Sequence, residues 1–233
     1  MVKELYYDGR SSKEFGVFIT SSDVFDGANA SYETVSIPGR SGLLTISNGR
    51  FENVEFTVKL WCRDEIANVA KSLKQWLVPD GRYHRIETSY QPDAFRMGMI
   101  KGGLNFEPKQ LRSGSVEVTF SCKPQLWLKN GEQKTVLIKN GSISNPTVQT
   151  AKPLIRIYGK GTVQIGNQTI EVLKVPTEYI DIDCDIQDCF EGTANRNSYV
   201  SLTDFPVLGP GNNGITLGTG ITKVEITPRW WTL

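Results

Sequence analysis

Two segments constrain what this chain can become. In "FTVKLWC" the apolar residues Phe56, Val58, Leu60 and Cys62 alternate with Thr57 and Lys59, and in "VEVTFSC" Val116, Val118, Phe120 and Cys122 keep the same two-residue step. A period of two sends every second side chain to one face of a pleated strand, so each segment reads as a half-buried β-strand. Comparable segments recur along the chain between Gly, Asn, Asp and Pro, which predicts a mainly β protein. One segment departs from the pattern. "DEIANVAKSLKQWLVPDG" sets Ile66, Val69, Ala70, Leu73, Trp76 and Leu77 at helical spacing, with Asp64 as the N-cap and Pro79 and Gly81 closing the run. A single amphipathic helix packed on a sheet is expected.

From Asn130 to Pro153 the chain becomes rich in Asn, Gly, Ser, Thr, Lys and Pro, with only "TVLI" apolar. This change of texture places a domain boundary between residues 1–129 and 130–233. The second part carries "PLIRIYG", "GTVQIG", "QTIEVL", "EYIDIDCDI", "SYVSL", "NGITLG" and "TKVEITP". Their spacing of roughly 8 to 12 residues predicts a β-sandwich or jelly roll. With 233 residues, folding can bury roughly 70% of the unfolded surface, enough for two real cores.

The charges exclude some functions. Lysines and arginines number 26 against 25 acidic residues, a net charge of +1, so no broad basic field exists to gather nucleic acid. His84 is the only histidine, which removes most Ser-His, Cys-His and multi-histidine metal arrangements and assigns His84 a surface or packing role. Cysteines 62, 122, 184 and 189 form no CxxC pair. The first two fall on core faces, and Cys184 and Cys189 receive no role. Asp181, Asp183 and Asp185 in "DIDCDIQD" look like the start of a calcium loop, but Ile186 and Gly192 stand where Gly and Glu are required. Alternation instead sends Ile180, Ile182, Cys184 and Ile186 to the core and the aspartates to solvent. No catalytic residue, metal site or cofactor is expected.

The start "MVKELYYDGR" has no apolar signal region, and no stretch nears the ~18 apolar residues of a membrane span. The expectation is a chain made in the cytosol without membrane insertion, whose sequons at Asn29 and Asn167 carry no glycan. In "VEITPRWWTL", Val224, Ile226 and Trp230 share one face of a last strand and Arg229 and Trp231 the other. Such aromatics close a core or an interface, or stack on sugars.

The stretch "SIPGRSGLLTISNGRFEN", Ser36 to Asn53, has the glycines and arginines of a phosphate cradle. It matches neither GxxxxGK[ST] nor GxGxxG, and it runs into a strand, so no helix N-terminus lies there to hold an anion. A long hairpin or loop is the reading that remains.

The order of these segments resembles the distal tail protein family of long, non-contractile-tailed bacteriophages. It is carried by "SSKEFGVFI", "IPGRSGLL", "GRFENVEFTVKLW" with the helix, "VEVTFSCKPQLW", "KPLIRIYGKGTVQIGNQTIEV" and "PGNNGITLGTGITKVEITPRWWTL". The resemblance covers nearly the whole chain. It implies a non-enzymatic hub: a homo-hexameric ring at the tip of the tail tube, assembled in the host bacterial cytoplasm. The first domain forms the ring, an arm from Ile37 to Asn48 reaches a neighbouring copy, and a galectin-like sandwich projects outward. Implied partners are the tail tube and tape-measure proteins on one side and the tail-associated tip and receptor-binding or baseplate proteins on the other. DNA passes only transiently through the lumen. Pro38, Gly39, Arg40, Gly42, Asn48 and Arg50 become the candidate interface residues. There is no room for an inserted carbohydrate-binding module. The competing readings are a lectin-like carbohydrate-binding module, weakened by the absence of histidine from the second domain, and a histidine-poor hydrolase of cell-wall polymers, for which no motif appears.

Overall fold

The computed structural model describes residues 3–62, 66–109, 113–175 and 177–233. The expected helix cap, Asp64, lies outside them. The chain divides into two compact units, one reaching Leu126 and the other spanning Trp127–Thr232.

The first unit contains β1 (Leu5–Tyr7), β2 (Arg10–Ser11), β3 (Val17–Ser22), β4 (Ala30–Ser36), β5 (Leu43–Phe51), β6 (Val54–Cys62), α1 (Ile66–Trp76), β7 (His84–Thr88), β8 (Ala94–Lys109) and the start of β9 (Ser113–Leu128). Its main sheet is ordered β2-β1-β7-β8-β9-β6-β3, while among the described residues β4 and β5 pair only with each other. The two alternating segments that open the sequence argument lie side by side. Phe56 faces Phe120, Val58 faces Val118 and Leu60 faces Val116 across the antiparallel β6–β9 pair, and all six are buried. Directly opposed residues share a face, so two half-buried strands become one apolar surface.

Helix α1 covers that surface with Val69, Leu73 and Trp76, and Leu77 just beyond it is buried too. Trp76 Nε1 donates to the Tyr7 carbonyl at 3.2 Å, and its ring stacks on Phe15 with centroids 4.5 Å apart. Gly98 on β8 is required by packing. A Cβ there would sit 2.3 Å from Cys122 Sγ and 2.7 Å from Ile86 Cδ1.

The second unit contains β10 (Thr135–Leu137), β11 (Gly141–Asn145), β12 (Leu154–Gly159), β13 (Gly161–Ile165), β14 (Gln168–Val172), β15 (Tyr179–Asp183), β16 (Asp188–Glu191), β17 (Ala194–Asn195), β18 (Val200–Leu202), β19 (Gly211–Leu217), β20 (Ile221–Thr227) and β21 (Trp231–Thr232). Two antiparallel sheets, β10-β20-β12-β15-β16-β17 and β11-β19-β13-β14-β18, make a sandwich. Its core is almost entirely aliphatic, with Ile155, Ile157, Val163, Ile165, Ile170, Ile180, Ile182, Val224 and Ile226 fully buried. The seven segments read from the sequence recur as β12–β15 and β18–β20.

Two turns of the sandwich interlock through glycine. A Cβ on Gly159 would lie 2.1 Å from the Gly220 carbonyl oxygen, and one on Gly220 2.2 Å from that of Lys160. Both glycines also have positive φ, 97° and 89°. Only glycine satisfies the conformation and the backbone approach together.

The acidic segment departs from expectation. Ile180, Ile182 and Cys184 are in the core, but β15 ends at Asp183 and alternation stops, leaving Ile186 65% exposed. Asp181 and Asp183 are not solvated; they are 4% and 8% exposed. Asp181 accepts from Arg156 Nε at 2.7 Å and Nη2 at 2.8 Å. Asp183 accepts from Arg229 Nη1 and Nη2 at 2.7 and 2.8 Å.

The C-terminal segment is likewise not one continuous strand. β20 ends at Thr227, and Arg229 takes the left-handed conformation at φ 59°, which turns its side chain to Asp183. Trp230 is buried and closes the core. Trp231 Nε1 donates to the Thr150 carbonyl at 3.0 Å.

Candidate functional site

The most unusual surface is the β4–β5 hairpin. Its register runs Tyr32↔Ser47, Glu33↔Ile46, Thr34↔Thr45, Val35↔Leu44 and Ser36↔Leu43. Because opposed residues share a face and neighbours alternate, Val35, Leu44 and Ile46 line one side of the ribbon, and Tyr32 and Leu43 the other. All five are exposed, from 38% for Leu44 to 61% for Leu43, and Ile37 beside the turn is exposed as well. Neither side covers a core.

The ribbon's backbone is equally open. With two strands and, among the described residues, no third, the outer edge of each presents unpaired N–H and C=O groups. An isolated two-stranded hairpin is marginal in water. This one is therefore shaped to gain stability from something laid against its sides or edges. Fully burying an exposed large apolar side chain contributes about 1.5–3 kcal/mol, and these six still have 37–61% of their surface to cover, so together they supply a driving force for association.

All six candidate residues from the sequence lie on this arm and are exposed, but they do different jobs. Pro38, Gly39 and Arg40 form the turn, closed by the Arg40 amide donating to the Ile37 carbonyl at 3.1 Å. Gly39 and Gly42 hold φ of 79° and 86°, so their role is conformational. Asn48 Nδ2 donates to Ser31 Oγ at 3.1 Å across the ribbon, at a bulge where the pairing shifts between Ser31 and Tyr32. Arg50 stands opposite Ser31. The sequence reading passed over the apolar set. Its signal was the adjacent pair Leu43–Leu44, which necessarily puts apolar groups on both sides of a strand.

The remaining chemistry is sparse. Among the described residues no group of three or more His, Cys, Asp and Glu could hold a metal ion, and no helix is long and apolar enough to cross a membrane. His84 has a packing role, tilted on Tyr7 with ring centroids 5.0 Å apart. Its two nitrogens meet Asp8 at 2.5 Å and Asp80 at 3.0 Å. Burial works against its charge, but these two carboxylates outweigh it and raise its pKa. All four cysteines are buried thiols. Burial pushes the Cys122 and Cys184 thiols up to about 12 and that of Cys189 to about 11, which leaves them inert as nucleophiles at neutral pH.

On the β12–β15–β20 sheet the half-buried Tyr179 and Tyr158 rings each carry a cation. Arg156 lies 3.9 Å from the Tyr179 centroid and Lys223 3.8 Å from that of Tyr158. A sugar stacking on those same ring faces would have to displace the cations.

No protein family model matches the chain, and neither does any curated protein sequence. A solved structure does. The SPP1 Dit protein, described as a paradigm of the hub adsorption apparatus in phages that infect Gram-positive bacteria, superimposes with a TM-score of 0.76 over 100% of both chains at 12% identity. The chain has the fold of SPP1 Dit. The Dit fold is what the order of sequence segments led one to expect, and the described residues are mainly β with a single α-helix. At 12% identity nearly every side chain differs, so the likeness resides in element order and core pattern.

Proposed function

We propose that this chain is a structural hub of a bacteriophage tail tip. Six copies close into a ring that joins the tail tube and tape-measure protein to the tail-associated tip and receptor-binding or baseplate proteins, and DNA crosses its lumen during ejection. Residues 1–129 build the ring and residues 130–233 project from it. The protein acts by assembly and catalyses nothing. Its place is the tail tip of the virion.

The observation that carries this reading is the β4–β5 arm, which bears exposed apolar side chains on both sides and is open along both edges among the described residues. It has the properties of a segment whose folding is completed by a neighbour, through strand addition or by burial of its apolar sides. A head-to-tail contact between identical copies closes into a ring when the rotation per copy divides the circle. The full-length likeness to a protein described as a hub supports the same conclusion.

The test is mass in solution by light scattering, together with negative-stain imaging. A closed six-membered ring is the expected result. A species that remains monomeric at all concentrations, and also when mixed with the tail tube protein, overturns the proposal. Strong selective binding on a glycan array would favour a lectin instead.

A further inference from the structure

Arg96, on β8 of the first unit, is 3% exposed and yet nearly unpartnered. Its Nη2 donates to the Asp26 carbonyl at 2.8 Å, while Nε and Nη1 are buried with no hydrogen-bond partner. Among the described residues no carboxylate pairs with it. Guanidinium is charged at any accessible pH, and a buried charge is ordinarily paired or fully hydrogen-bonded. Burial dominates and pushes the pKa of Arg96 down, and the opposing charge of Asp26, which is not paired with it, does not offset this.

A second orphan lies beside it. Thr88, 4% exposed, has a buried Oγ1 with no partner. Arg96 and Thr88 both line a small cavity whose wall is otherwise mostly apolar, with Val24, Phe56, Ile86 and Phe95, and includes Gln91. Its free volume is about 10 Å³, roughly that needed by one water-sized particle. Glu87 is also on the wall, but its carboxylate is taken by Arg85 Nε at 2.5 Å.

We propose that this cavity is a binding site for a small monovalent anion of halide size, held by Arg96 with the Thr88 hydroxyl as a further donor. A water molecule there would accept hydrogen bonds but leave the charge uncompensated. A halide does both. A carboxylate or phosphate needs more room than a halide, and no second cation lines the cavity to balance a divalent anion. Bound in this way, the anion ties the start of β8 to β7 and completes the core beneath the Val24–Asp26 segment.

The test uses the intact protein in a chloride-free buffer. At constant ionic strength, replacing 200 mM sodium gluconate, whose anion exceeds the cavity, by sodium chloride should raise Tm by about 3 °C. R96M should abolish the chloride dependence, and T88V should weaken it. Crystals grown with bromide should show an anomalous peak within hydrogen-bond reach of Arg96, a readout that depends on no variant folding. An equal chloride response in wild type and T88V, no response in wild type, or a bromide crystal with water only at the site would each overturn the proposal.

Discussion

Arg229 grips Asp183 end-on, with Nη1 and Nη2 at 2.7 and 2.8 Å from the two carboxylate oxygens, at the point where the chain leaves β20. The pair fixes the turn that delivers Trp230 into the sandwich core. Asp183→Asn should cost about 2 kcal/mol in urea unfolding. That is less than the ~3–5 kcal/mol of a fully buried pair, because the Arg229 side chain is 28% exposed. Burial works to raise the Asp183 pKa, but Arg229 and the amides of Asp185 and Ile186 prevail and lower it. The pair's contribution is thus complete above the unfolded carboxylate pKa and disappears as pH falls through the lower folded value. The variant should show a flatter stability profile below pH 4.

His84 predicts dependence at the other end of the scale. Both of its ring nitrogens face carboxylates, and only imidazolium can donate to both. With the folded pKa raised above the ordinary value of 6.5, the contribution is full below that value and is lost as pH rises through the folded one. Wild-type Tm should therefore fall between pH 6 and pH 9 by more than that of His84→Gln. Because the chain has a single histidine, its imidazole NMR resonance reports this pKa without ambiguity, and a value at or below 6.5 would refute the assignment.

The arm predicts a separation of folding from assembly. Leu44→Ser with Ile46→Ser removes apolar groups that touch no core, so monomer stability should change by less than about 0.5 kcal/mol. Sedimentation equilibrium should nonetheless show loss of the oligomer. Hydrogen exchange across residues 37–48 should slow on assembly in wild type and stay fast in the variant. An oligomer unaffected by both this pair and Arg40→Glu would remove the arm from the interface.

Gly220→Ala should be far more damaging than an ordinary glycine substitution. The new Cβ would meet the Lys160 carbonyl at 2.2 Å, and backbone on both sides cannot step aside as a side chain could. A loss above about 3 kcal/mol is expected from overpacking combined with positive φ. Gly166→Ala is the control. Its φ of 57° is also positive, but its Cβ would meet nothing within 4 Å. It should cost about 1 kcal/mol.

Local pattern revealed the helix and the sandwich strands because each buries one face, and a buried face writes its period into the sequence. It could not reveal what covers the other face. Asp181 and Asp183 alternate as solvent-facing residues do, yet Arg156 from the neighbouring strand and Arg229 from 46 positions away fold over them. Short edge strands such as β10 and β17, of three and two residues, hold too little pattern to register. Arg96 has no local signature at all, since its isolation emerges only once β7, β8 and the Val24–Asp26 segment meet.

The bulge at the base of the arm has one more implication. In most strands a slip of one residue is forbidden because it would turn the buried face out to water. The β4–β5 ribbon has no buried face, so its two strands could slide past one another at little cost. The Asn48–Ser31 hydrogen bond and Gly49, at φ 65°, act as a detent that removes this freedom. In the proposed assembly, every copy would then present its side chains in the same phase, so that identical arms could fit identical receiving surfaces without sorting among misaligned forms.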